Sequence, residues 1–113
     1  MIIIAFSEHT SKLLPRIFCR HFRHCAPIFR VEHKLIMYQF TNTHNIATIE
    51  LNNRDIGILR AHGWRFIYVP IDIPDDFDPH CAYSCVDLSK RALGIQNIFI
   101  QTPYGLYKHI ASK

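Results

Sequence analysis

His24-Cys25-Ala26-Pro27-Ile28-Phe29-Arg30-Val31 and Leu35-Ile36-Met37-Tyr38-Gln39-Phe40-Thr41, separated by the polar Glu32-His33-Lys34, decide the fold class of this chain. Two β-rich runs around a three-residue polar break make a hairpin, and a hairpin is an antiparallel pair. With the turn at Glu32-His33-Lys34, residue numbers facing each other across the pair sum to about 66, which sets Gln39 opposite Pro27 and roughly one strand pair from His24. Pro27 has no N–H to give a ladder, so this strand is expected at a sheet edge or at a bulge.

Working outward, Met1-Ile2-Ile3-Ile4-Ala5-Phe6 reads as a leading strand. No basic region precedes it and it breaks at Ser7-Glu8-His9, so it does not read as a secretion signal, and the expectation is synthesis and folding in the cytoplasm. Thr10 or Ser11 caps a helix carried by Leu13, Leu14, Ile17, Phe18 and Phe22, with Pro15 tolerated in its first turn, ending near His21 or Phe22. Beyond the hairpin, Thr43-His44-Asn45 is a turn and Ile46 to Leu51 alternates as a strand. Asn52 or Asn53 caps a short helix that runs through Arg60 and ends at Gly63, and Trp64 to Val69 is a strand closed by Pro70. Ile71 to Pro79 is a loop rich in proline and aspartate. Its Asp75, Asp76 and Asp78 read as a solvated cluster, because their spacing is not that of a calcium loop. A helix follows from Ser84 to Gly94, and Thr102-Pro103 opens a terminal helix that reaches His109. The order β-α-β-β-β-α-β-α-α, with hairpin-linked strands in its middle, defines a single α+β domain over residues 1–113 with a mainly antiparallel central sheet packed against helices.

Composition narrows the classes of function. An apolar fraction of 49% with 19% charged residues excludes a disordered chain. No run approaches the ~18 apolar residues of a membrane span. The net charge of +4 gathers in Lys12, Arg16, Arg20, Arg23 and Arg30, but no helix-turn-helix, zinc-finger or RNA-binding signature accompanies it, so nucleic acid is not expected as a partner. Four cysteines, Cys19, Cys25, Cys81 and Cys85, in a chain read as cytoplasmic are expected to be reduced thiols.

Chemistry concentrates at Tyr83-Ser84-Cys85-Val86-Asp87-Leu88-Ser89-Lys90-Arg91-Ala92-Leu93-Gly94. Ser84 caps the first turn, Asp87 suits its positive end, and Gly94 closes the helix in a left-handed conformation. Cys85 therefore sits in the first turn, where unsatisfied N–H groups and the macrodipole favour thiolate and can hold an oxyanion. On the helix alone the residue reads as core more readily than as a nucleophile. Cys85, Leu88 and Ala92 follow i, i+3, i+7 and face inward with Val86 and Leu93, while Asp87, Lys90 and Arg91 lie on the other side. A basic partner is what would make it a nucleophile. Of eight histidines, His24 is best placed, at the entry of a central strand that can face the start of a packed helix. Gln39 on the neighbouring strand is the candidate to hold the ring's other nitrogen, with Tyr38 or Thr41 as substitutes.

The leading strand, the Phe22-Arg23-His24 motif opening a hairpin and the later helix-capping Ser84-Cys85-Val86 resemble the circularly permuted branch of the NlpC/P60 papain-like superfamily, in which the histidine precedes the cysteine. The stretch from Cys85-Val86 through Lys90-Arg91-Ala92-Leu93-Gly94-Ile95 to Thr102-Pro103-Tyr104-Gly105-Leu106-Tyr107 is also similar to small proteins of bacteriophage genomes. The resemblance implies a papain-like fold with Cys85 as nucleophile, His24 as general base and acid, and Gln39 as orienter. It implies hydrolysis of an amide, thioester or ester, often in a peptidoglycan stem peptide, with no cofactor. The sequence departs from the family in His24-Cys25-Ala26-Pro27 and in an amide where many members carry a carboxylate or a second histidine.

Two other readings stand beside this one. Cys19-x-His21-x2-His24-Cys25 and His80-Cys81-x3-Cys85 supply soft ligands for zinc, although without knuckle spacing. Alternatively the chain is a non-catalytic virion or tail component that docks on other virion proteins through Ile98-Phe99-Ile100 and the aromatic tail of Tyr104, Tyr107 and His109. Trp64 reads as core or rim packing.

Overall fold

The computed structural model describes residues 1–7, 24–42, 45–82 and 84–111. The helix expected between Thr10 and Phe22, with Cys19 and His21, lies outside the described residues, as do Arg23, the turn residues Thr43 and His44, and Tyr83.

Five strands, β1 (Ile2–Ser7), β2 (His24–Val31), β3 (Lys34–Asn42), β4 (Asn45–Leu51) and β5 (Arg65–Val69), form one antiparallel sheet in the order β4-β3-β2-β1-β5. Among the described residues three α-helices accompany it: α1 (Asn53–Ala61), α2 (Cys85–Leu93) and α3 (Pro103–Ala111). A 3-10 turn, Pro79–Cys81, leads into α2. The α+β architecture expected from the hairpin is the one found. Ile98 and Phe99 lie in a turn and Ile100 in an irregular stretch.

β1 is buried along its whole length because it has a strand on either side and a packed layer on both faces. Its alternation divides the core in two. Ile2, Ile4 and Phe6 join Cys25 and Phe29 beneath Val86, Ala92, Leu93, Ile100 and Leu106. Ile3 and Ala5 join Ala26, Ile28 and Met37 beneath Ile56 of α1. Each large apolar side chain buried in this way is worth about 1.5–3 kcal/mol. A triangle of rings, Phe29 with Tyr38 at 5.1 Å, Phe29 with Phe77 at 5.2 Å and Tyr38 with Phe77 at 6.1 Å, anchors the 70–78 loop to the α2 face. Phe6 and Tyr107 meet edge-on at 5.2 Å and fix α3 to the same face.

The hairpin corrects two expectations. Its turn has two residues, Glu32 and His33, with Val31 paired to Lys34 and Ile28 to Met37, so facing numbers sum to 65. Glu32 alone adopts a left-handed φ of 59°, the pattern of a type II′ turn that usually has glycine first. A slip of one residue exchanges the faces of a strand. Extended along the strands, the observed register sets Gln39 opposite Ala26 rather than Pro27 and so on the same side as His24. Second, β2 is an interior strand, not an edge, and Pro27 lies opposite Ile4 of β1. In a two-residue hairpin the flanking pair exchanges hydrogen bonds, so the odd-numbered residues of β2 aim their N–H groups at β3. Pro27 falls in that series with nothing to donate, and the β2–β3 register runs no further than Ile28↔Met37.

Candidate active site

α2 is built as its sequence requires. Ser84 is the N-cap and its Oγ accepts from Asp87 N–H at 3.0 Å, while Gly94 closes the helix at φ 70°. Asp87 and Arg91 pair across one turn at 2.8 Å. Cys85 is the first helical residue and is half-buried against β2, with Val86, Leu88, Ala92 and Leu93 beneath it in the core. Lys90 departs from the expected outward face. Its side chain runs along the core and only its amine needs a partner, which Ile100 carbonyl oxygen supplies at 3.0 Å, so the residue is 7% exposed.

His24 and Gln39 meet. His24 Nε2 lies 2.6 Å from Gln39 Oε1, and the amide nitrogen of Gln39 donates to Met37 Sδ at 3.1 Å, which fixes the amide's orientation. A carbonyl oxygen only accepts, so Nε2 carries the hydrogen, and Nδ1 is the ring nitrogen left to exchange a proton with a thiol. Trp64 meets the imidazole edge-to-face at 6.2 Å and supports it from the α1 side. Tyr38 is committed to the ring triangle with Phe29 and Phe77, and the Thr41 side chain lies outside the described residues.

His24 and Cys85 also meet. His24 shares strand parity with Ala26 and Ile28, but it is the first residue of β2, and its ring reaches the Cys85 sulfur at the end of the sheet. The thiol of Cys85 is held far below its ordinary value, down to about 4. The largest cause is the hydrogen bond donated by the Cys25 side chain. Burial opposes it, and the hydrogen bond and charge of His24 and the backbone N–H of Cys25 add to it. Pro27 explains the last of these. With the β2–β3 ladder ended, the next N–H in the odd series, that of Cys25, turns to the Cys85 sulfur.

Cys25, which the sequence suggests only as a zinc ligand, is a further member of the site. It is fully buried, and its Sγ lies 3.4 Å from the Cys85 carbonyl oxygen as well as within hydrogen-bonding reach of the Cys85 sulfur, so one S–H hydrogen serves two acceptors. Ser89, one turn further along α2, donates to Cys25 Sγ at 3.6 Å. Strand parity was the available signal. If His24 opens a strand, residue 25 faces the opposite layer, which is the one bearing Cys85.

Two of the ligands of the first zinc grouping, Cys19 and His21, lie outside the described residues, and among the described residues no three His, Cys, Asp or Glu side chains converge for a metal. Cys81 instead donates to Asp78 at 3.3 Å, and that carboxylate pushes its thiol upward. A groove of about 440 Å³ lies beside α1, lined in part by Arg30, His33 and Arg60. A second of about 320 Å³ lies beside α2, lined in part by Asp76, Asp78 and Arg91. Cys85, His24 and Gln39 line neither. Among the described residues no helix is long and apolar enough to cross a membrane.

A half-buried thiolate at a helix N-terminus, an imidazole beside it and an amide holding that imidazole are the groups that nucleophilic catalysis requires. Compared with family models, with curated proteins and with solved structures, the chain matches none.

Proposed function

We propose that the chain is a thiol hydrolase of the papain-like, permuted NlpC/P60 kind, with Cys85 as nucleophile, His24 as general base and acid, and Gln39 as orienter. The observation that carries this reading is the line Cys85, His24, Gln39, with the thiol depressed to about 4 and Nε2 of the imidazole 2.6 Å from an acceptor that fixes its tautomer. The Cys85 thiolate attacks the carbonyl carbon of an amide, ester or thioester. First-turn N–H groups of α2 that intrahelical bonding leaves over face the developing oxyanion. His24 gives its proton to the leaving amine, alcohol or thiol, and then takes one from the water that hydrolyses the acyl-thioester. Amides of peptidoglycan stem peptides are the substrate to which the family resemblance leads.

A second reading, docking on other virion proteins with the Cys85/His24 pair idle, draws on Ile98 and Phe99, which are 71% and 88% exposed. Thiol reactivity separates the two. Iodoacetamide alkylation of Cys85, followed by mass spectrometry, is expected to be flat from neutral pH down toward about 4, because only the thiolate reacts and the folded protein keeps it ionised there. In His24→Ala the midpoint is expected to rise by about 1–3 units, since the loss of a nearby positive charge favours the neutral thiol. An inert Cys85, or a profile indifferent to His24, sinks the hydrolase reading.

A further inference from the structure

We propose that Cys25 is a resolving thiol for Cys85: when a peroxide oxidises the site, the two sulfurs close a reversible disulfide between β2 and α2. The proposal rests on the reading of Cys85 as the reactive thiol and adds an oxidative regulation of that same site. In the hydrolytic scheme Cys25 sulfur only donates a hydrogen bond to the Cys85 sulfur; it forms no bond to substrate and relays no proton. A buried Val or Ala in its place would fill the core without any polar atom to satisfy, whereas Cys25 points its Sγ to within 3.4 Å of the Cys85 carbonyl oxygen and hydrogen-bonds the Cys85 sulfur. The residues come from two elements packed directly on one another, so a bond between them needs no unfolding of either.

The order of events follows from exposure. Cys85 is half-buried and Cys25 is fully buried, so an external peroxide meets Cys85 first. The Cys85 thiolate attacks one peroxide oxygen: an S–O bond forms, the O–O bond breaks, and the departing hydroxide takes up a proton as water. This leaves a sulfenic acid. Cys25 then attacks the Cys85 sulfur: the S–S bond forms, the S–O bond breaks, and the hydroxide leaves as water with the proton that Cys25 gives up. Two thiols and hydrogen peroxide thus become one disulfide and two waters, the sulfurs being oxidised and the peroxide reduced. Ser89, itself buried, donates to Cys25 Sγ at 3.6 Å and so holds the attacking sulfur on the α2 side. Cys81, the nearest cysteine in sequence, is engaged with Asp78, whose carboxylate keeps it protonated and therefore slow to attack.

The test treats the full chain with hydrogen peroxide, digests it under non-reducing conditions and maps the cysteines by mass. The expected result is a loss of two hydrogens that dithiothreitol restores, with one cross-linked peptide pair containing Cys25 and Cys85. In Cys25→Ala, Cys85 is expected instead to gain oxygens and to be trapped by dimedone as sulfenic acid. Cys85 that over-oxidises in the wild-type chain, or that links to Cys19 or Cys81, overturns the proposal, and the wild-type map decides this even if the variant fails to fold. The two readings fail separately. A Cys25–Cys85 disulfide in a protein whose Cys85 alkylation ignores His24 sinks only the hydrolase, whereas His24-dependent alkylation in a chain that over-oxidises sinks only the resolving role.

Discussion

The two faces of the sheet are made by the same strands and covered by helices of the same length, yet they are built differently. Beneath α1 the buried layer is Ile3, Ala5, Ala26, Ile28, Met37 and Ile56, apolar throughout its middle, with Ser7 only at the end opposite His24. Beneath α2 the layer holds the Cys25 sulfur, the Ser89 hydroxyl and the Lys90 amine, each with a partner. A polar atom taken out of water costs free energy unless it is bonded, so the α2 face gives up some packing to hold groups at fixed positions. Stability and chemistry are divided unequally: the first face is expected to carry the fold and the second the thiol, which His24 and Gln39, of the first face by strand parity, meet at the end of the sheet.

That division can be broken by substitution. The largest effect is expected at Ile28, fully buried on the α1 face. Ile28→Ala should cost about 2–5 kcal/mol in urea-induced unfolding and leave the pH profile of Cys85 alkylation in the folded protein unchanged. A shifted profile would mean that the two faces are not independent. Next is Gln39→Ala, which frees the His24 ring to turn. Turnover of an activated thioester should fall about 10- to 100-fold, as expected for a misplaced catalytic group, with little change in unfolding midpoint. A large loss of stability there would make Gln39 a structural residue. The smallest effect is at Glu32→Gly in the turn that belongs to neither face. Relief of the left-handed conformation, offset by the greater freedom of the unfolded chain, should raise stability by about 1 kcal/mol or less and leave alkylation untouched.

The pH dependence of stability has a definite direction. Because the folded chain binds the Cys85 proton more weakly than the unfolded chain does, the thiolate's contribution is complete only above the range of an ordinary thiol, and it is lost as pH falls toward about 4.

What the sequence made legible was local. Ser84 and Gly94 mark the ends of α2 by their own chemistry, Thr102 Oγ1 takes the Gly105 N–H as a cap should, and the apolar runs on either side of residues 32 and 33 declare a hairpin. The register was not legible. A three-residue turn is the natural reading of Glu32-His33-Lys34, since glutamate seldom takes a positive φ, and only the packing of both strands forces Glu32 to do so. Lys90 escaped for a similar reason: its burial depends on a carbonyl ten residues away that no periodicity reveals. Cys25 was visible as a residue but not as a partner, because its role depends on which layer α2 occupies.

Pro27 has a mechanical consequence. Backbone pairing joins β2 and β3 only near their turn, so the two strands resemble a tuning fork whose prongs touch through side chains, Phe29 on Tyr38 and, at the tips, His24 on Gln39. The join at the tips is then a property of one replaceable amide. A change at residue 39 that alters its length by a single carbon retunes the site without touching the frame that holds it.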